Sequence, residues 1–303
     1  MDDSLPLART LTSLTLTMPD GRTVGYADFG PATGAATGLA VLDCHGGPGS
    51  RLAPGAAAAA AGPAGIRFVG IDRPGYGLST PWPGRTIAGW VPDALAVADA
   101  LGIDRFAVIG SSTGGSYGVA LAARVPERVI GLLLCCAVTD MRWPEGRRLV
   151  GGSGRAGDIW DAPDRATALE IARDFWGDDG LRPATSGSST LAPADVALFL
   201  DPEFVRGVLL SLQQSFAFGV VGYTDDRIAD GAGWGELDLA AVTCPVTIVH
   251  GSEDRLVDVR VAHHNKALLP HAELRIVDGL GHFSIGRELL PALFDLLGLS
   301  AAA

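Results

Sequence analysis

The stretch FAVIGSSTGG, residues 106–115, runs four apolar residues into a glycine- and serine-rich turn, and the residues that follow to Arg124 have the pattern of a helix. A strand that turns directly into a helix forces the middle residue of the turn, Ser112, into a strained backbone conformation. The glycines at 110 and 114 remove the side chains that would collide there. The serine hydroxyl is thereby lifted clear, next to the first unpaired amides of the helix. A chain with 41 glycines can meet the Gly-x-Ser-x-Gly spacing by chance, so the strand–turn–helix setting carries the reading. The competing reading is a tight turn that only packs closely or cradles phosphate.

Working outward, residues 39–44, 67–72, 129–136, 246–251 and 274–277 are further short apolar runs bounded by Gly, Pro or Asp. Helical stretches at 53–61, 86–101, 112–124, 259–269 and 285–297 alternate with them. This alternation predicts an α/β fold with a mostly parallel sheet covered by helices on both faces. Residues 11–18 and 23–29 flank a Pro-Asp-Gly turn at 19–21 and predict an antiparallel hairpin at the start. Between residues 139 and 239 the alternation stops. That segment holds 17 of the 34 carboxylates and reads as helices near 164–177, 193–200 and 202–218, with Gly/Ser-rich breaks at 151–157 and 186–189. It predicts a helical cap (139–239) inserted into a core formed by residues 1–138 and 240–303. The cap would cover the carboxyl edge of the sheet, where α/β proteins keep their ligand crevice. The Gly151–Gly157 stretch reads as a flexible segment.

Composition narrows the function. A net charge of −11 argues against a nucleic-acid or anionic-membrane partner. The basic residues are 22 Arg and one Lys, Lys266, so no glycine-rich turn is followed by the lysine of a phosphate loop. The start, MDDSLPLART, lacks the basic and apolar regions of a signal peptide, and no apolar segment reaches the ~20 residues that span a bilayer. Cys44, Cys135, Cys136 and Cys244 show no CxxC spacing and read as buried reduced thiols of a cytoplasmic protein. Cys135 and Cys136, adjacent in a strand, are expected on opposite faces. No cofactor and no metal are expected. His263 and His264 with Asp258 form no HExxH pair, and adjacent histidines on a helix diverge by about 100°.

A serine hydroxyl needs a base, and the base needs an orienting acid. The strand at 246–250 ends in Gly251-Ser252-Glu253-Asp254, and that at 274–277 ends in Asp278-Gly279-Leu280-Gly281-His282. His282, in a glycine-rich loop, is the expected base. Asp254 is the expected acid, by the shortest loop turning back over the sheet, with Glu253 and Asp258 as rivals. Acyl chemistry at serine creates an oxyanion, which unobstructed backbone amides stabilise best. His45-Gly46-Gly47-Pro48 supplies one such turn, so the amides of Gly47 and Thr113 are the expected donors. Asp72 and Arg73 read as a structural ion pair or hydrogen-bonded turn beside the site. Phe216, Phe218, Tyr223 and Trp234 read as either core or substrate wall.

HGGPGS at 45–50, DRPGYGLS at 72–79, GSSTGG at 110–115, HGSEDRLV at 250–257 and GLGHFS at 279–284 together resemble the α/β-hydrolase superfamily, in its proline-iminopeptidase and epoxide-hydrolase-like branch. The resemblance runs from about residue 11 to 297 and is loose over the cap. It implies Ser112, Asp254 and His282 as nucleophile, acid and base, with the oxyanion held by Gly47 and Thr113. Epoxide hydrolases and haloalkane dehalogenases place Asp where this chain has Ser112, which disfavours both chemistries. The expected activity is hydrolysis of an ester or other activated acyl bond of a small molecule. Two other expectations stand beside it. An aminopeptidase of the proline-iminopeptidase kind would need cap carboxylates such as Glu170, Asp174, Glu203, Asp225 or Asp226 to hold a substrate ammonium. A non-catalytic ligand-binding protein on the same fold would return its ligand intact.

Overall fold

The structure is a computed structural model and describes residues 12–30, 38–61, 64–151, 155–182 and 191–299. Parts of two expected features, the start of the first strand and residues 152–154 of the Gly151–Gly157 stretch, lie outside the described residues, as does the whole Gly/Ser break at 186–189.

Among the described residues there are nine strands: β1 (Leu14–Thr17), β2 (Thr23–Phe29), β3 (Ala40–Cys44), β4 (Arg67–Ile71), β5 (Phe106–Ser111), β6 (Val129–Cys135), β7 (Ala217–Val220), β8 (Val246–Gly251) and β9 (Glu273–Val277). All but β7 form one eight-stranded sheet in the order β1-β2-β4-β3-β5-β6-β8-β9. The β1–β2 hairpin is antiparallel, and so is the β2–β4 pair. From β4 onward every pair is parallel.

Consecutive apolar residues in the central strands face opposite ways, as buried parallel strands require. Leu42, Val108, Leu132 and Ile248 pack on one face with α2 (Val91–Ala100), α3 (Gly114–Arg124) and α9 (Val259–Leu268). Val41, Ala107, Leu133 and Val249 pack on the other, with α1 (Gly55–Ala61) and α10 (Leu289–Leu296).

Between β6 and β8 the described residues include the α-helices α4 (Pro144–Leu149), α5 (Arg165–Trp176), α6 (Pro193–Leu198), α7 (Pro202–Ser215) and α8 (Val221–Ala232). The sequence pattern anticipates α5, α6 and α7 and misses α4 and α8. No described helix is long and apolar enough to cross a membrane.

One expectation needs correction. Cys135 and Cys136 do not alternate across the sheet, because β6 ends at Cys135 and Cys136 turns into the left-handed region at φ 42°. Both thiols pack in the same apolar cluster. All four cysteines are buried and unpaired.

Candidate active site

Parallel strands deliver their carboxyl ends to one edge of the sheet. The neighbours β3, β5, β6, β8 and β9 therefore bring together, side by side, the turns that begin at His45, Ser112, Cys136, Ser252 and Asp278. Ser112, Asp254, His282, Gly47 and Thr113 lie on these turns.

Ser112 sits between β5 and α3 with φ 52°. Only two described non-glycine residues have positive φ, and the other is Cys136 on the neighbouring strand. The strain is held by bonds on both sides: the Ser112 amide donates to Cys135 O at 3.0 Å, and Ser112 O accepts from Gly115 N and Val138 N, each at 3.0 Å. Gly114 makes the elbow possible, since a Cβ there would lie 1.8 Å from Cys44 O. The turn after β3 is equally tight. A Cβ on Gly47 would lie 2.9 Å from Thr113 Oγ1, so the two expected oxyanion donors are immediate neighbours. Neither the Gly47 amide nor the Thr113 amide donates to another described residue.

Asp254 and His282 are in contact. Asp254 Oδ2 lies 2.8 Å from His282 Nδ1, while its Oδ1 accepts from Leu256 N and Val257 N at 2.9 and 2.8 Å. Burial would raise the Asp254 carboxyl, but His282 and His250 outweigh it and hold it well below the usual carboxylate range. Burial would lower the His282 ring, and the Asp254 charge reverses that, so the imidazole titrates above 6.5. With Nδ1 spent on Asp254, Nε2 has no partner among the described residues. Of the other two carboxylates weighed, Glu253 is exposed, and Asp258 caps α9 and pairs with Arg260.

Cys136 connects the two halves of the site. Its sulfur, an Asp254 oxygen and a His282 nitrogen lie within 4.8 Å of one another, and the Ser112 amide bonds to the carbonyl of the residue before it, Cys135. Its hydrogen bond to Cys135, with burial, raises the thiol well above its ordinary range. The carboxylate and imidazole of this group are already committed to each other. His264, by contrast, bonds Thr139 Oγ1 at 2.7 Å and stacks on Trp143, while its neighbour His263 is exposed.

The expected Asp72–Arg73 pair is not formed. Asp72 accepts from Arg51 N and Nη1 at 2.7 and 3.0 Å and from Leu78 N at 2.9 Å. Arg73 turns the other way and pairs with Asp226 of α8 at 2.6 Å. It also donates to His45 O and Gly46 O at 2.5 and 2.9 Å, so it anchors the turn that carries Gly47. Arg85, Tyr76 and Tyr117 complete the shell around Asp226, at 2.5, 2.8 and 2.9 Å. Burial opposes the Asp226 charge, but Arg73 and Arg85 overcome it and keep the carboxyl ionised. His45 lies beside this cluster. Burial and the Arg73 charge hold its ring well below 6.5, so it is a neutral structural histidine.

Sequence reasoning missed two residues that touch the site. Arg227 of α8, buried, donates to Thr113 Oγ1, pairs with Asp230 at 3.0 Å and reaches the edge of Gly47. Burial pushes the Asp230 carboxyl up to about 7 despite that pair. Asp195 of α6 accepts from the backbone of the His282 loop. Neither carries a local motif, because their partners are distant in sequence.

The aromatic set expected as core or wall divides. Phe216 and Tyr223 pack around Trp176, Trp234 donates to Ser116 Oγ at 3.0 Å within the main core, and Phe218 is exposed. A different group flanks His282: Phe283 contacts its ring edge-on at 5.6 Å, and Phe199 and Phe204 pack on Phe283 at 5.3 and 6.3 Å.

A family model described as the alpha/beta hydrolase fold matches residues 40–288. The chain belongs to the α/β-hydrolase superfamily. Among its relatives is a 2-hydroxymuconate semialdehyde hydrolase of Pseudomonas putida, 28% identical over 250 residues that cover 82% of each chain. A proline iminopeptidase of Neisseria gonorrhoeae is 27% identical over 289 residues, covering 86% of this chain and 88% of the relative. Among solved structures, a thermophilic esterase from Thermogutta terrifontis superposes with a TM-score of 0.68 at 20% identity, covering 94% of this chain and 98% of that one. Membership of the superfamily agrees with the eight-stranded, mostly parallel sheet and its flanking helices.

Proposed function

We propose that this α/β-hydrolase is a serine hydrolase that cleaves an ester or other activated acyl bond of a small molecule, with residues 139–239 acting as its cap. Ser112 attacks the acyl carbonyl while His282 Nε2 takes its proton, and Asp254 holds the ring in the tautomer that leaves Nε2 free. The Gly47 and Thr113 amides receive the oxyanion. The His282 imidazolium then gives that proton to the leaving alcohol as the acyl–oxygen bond breaks. Water, deprotonated by the regenerated His282, attacks the acyl-enzyme and releases the acid, the proton returning to Ser112 Oγ. The observation that carries the reading is the 2.8 Å Asp254–His282 contact at the same sheet edge as a serine held at φ 52°.

The aminopeptidase alternative requires a carboxylate free to bind a substrate ammonium. Glu170, Asp174 and Glu203 are exposed, Asp225 is paired with Arg165 at 2.6 Å, and Asp226 is committed to Arg73 and Arg85. The buried charges nearest Thr113 include the guanidinium of Arg227, which disfavours a cationic substrate end. These arrangements favour the ester reading over a peptidase. Turnover of p-nitrophenyl acetate and butyrate set against proline β-naphthylamide tests it. Ester turnover with an inert naphthylamide is expected, and the reverse preference would overturn the assignment.

A further inference from the structure

We infer that Asp195 is a positioning residue that makes the placement of His282 depend on the seating of helix α6. The inference rests on the reading of His282 as the base. Asp195 is 1% exposed, and its oxygens accept from three consecutive amides of the loop after β9: His282 N at 2.9 Å, Phe283 N at 3.1 Å and Ser284 N at 2.8 Å. Ser284 Oγ adds a fourth bond at 2.7 Å. Three amides converging on one carboxylate form an anion-binding concavity of the kind found at helix N-termini.

Asp195 stands in the first turn of its own helix, where a carboxylate ordinarily serves that helix's free amides. Here its bonds go instead to a loop 87 residues away, and Ala192, which precedes α6, offers that helix no side-chain cap. Gly281 completes the fit, because a Cβ there would lie 2.3 Å from Asp195 Oδ2. The carboxylate thus seats against the loop backbone only while α6 lies against the sheet edge. Lifting α6 would leave three amides without a partner and free the loop that carries the imidazole.

His282 faces Asp254 from the loop after β8, Cys136 from the end of β6 and Asp195 from α6. Of these, the two carboxylates favour the charged ring. The role therefore has a signature that loop bracing alone lacks. Asp195→Asn keeps the volume but removes the charge and one of the two acceptor oxygens.

The test measures kcat, KM and the pH profile of p-nitrophenyl butyrate hydrolysis in wild type and Asp195→Asn, normalised to fluorophosphonate-titratable Ser112. The expected result is a fall in kcat of roughly 10- to 100-fold with KM nearly unchanged, as for a misplaced reacting group. The acid limb should also move to lower pH. A folded Asp195→Asn with wild-type kcat per titrated site and an unmoved acid limb overturns the inference, even if its Tm has dropped. Should that variant not fold, Ser284→Ala, which retains the carboxylate, decides the matter. A several-fold loss of kcat at unchanged KM supports the inference, and an unchanged kcat overturns it. Failure of wild type to take the fluorophosphonate at all strikes the reading of Ser112 and His282 itself. Labelled wild type with an indifferent Asp195→Asn strikes only the role of Asp195.

Discussion

Two opposing effects act on His282. Burial disfavours an imidazolium, and the Asp254 carboxylate 2.8 Å away more than offsets it, so the ring titrates above 6.5. The proposed base works only when neutral. Ester kcat/KM is therefore expected to fall as pH drops through a midpoint above 6.5, in a pH–rate profile taken at constant ionic strength. Asp254→Asn removes the charge and leaves burial, so its acid limb should shift to lower pH. Its kcat should fall by roughly 10³- to 10⁴-fold, because the ring loses its orienting partner. Ser112 and His282 were readable in the sequence because glycines mark the turns that lift them. Asp254 was separable from Glu253 and Asp258 only by loop length. Asp195 and Arg227 were not readable, since their partners lie 87 and 114 residues away and no local pattern points at them.

Among the elements, those with an apolar stripe or a short apolar run were legible, including the whole of β8. Helix α8 was not. Its buried residues include Asp225, Asp226, Arg227 and Asp230 beside Tyr223 and Ala229, so charged residues, which ordinarily mark a solvated face, fill much of its buried side. The elbow between β5 and α3 shows the opposite case, where glycine alone reveals the packing. Gly114→Ala would drive a Cβ into Cys44 O, and nothing flexible is there to move aside. The expected loss is about 3 kcal/mol, read as a lowered urea midpoint at unchanged m-value. Gly84→Ala is the contrasting control. Its Cβ would meet nothing within 4 Å, and its penalty comes only from φ 76°.

For the molecule as a whole, a mostly parallel sheet flanked by helices was recoverable from the alternation of short apolar runs with helices, and the order of its strands was not. The fastening of the inserted helices to the sheet was not. That fastening is a buried polar cluster: Asp226 of α8 accepts from Arg73 after β4, Arg85 before α2, Tyr76 and Tyr117 of α3. Composition showed only a surplus of acids, which ordinarily marks a solvated face. Asp226→Ala would strand two guanidiniums in the interior. It should destabilise the fold by about 3–5 kcal/mol in equilibrium urea unfolding, with the polar cluster's loss felt by insert and core together. The same cluster fixes the turn that carries Gly47 through Arg73, so the site and the union of insert with core share their supports. An activated Ser112 is central to the proposed chemistry, and intact mass after exposure to a fluorophosphonate tests it most directly. One adduct on wild type and none on Ser112→Ala is the predicted result. A well-folded wild type that takes no adduct, or a Ser112→Ala protein that still does, would contradict it.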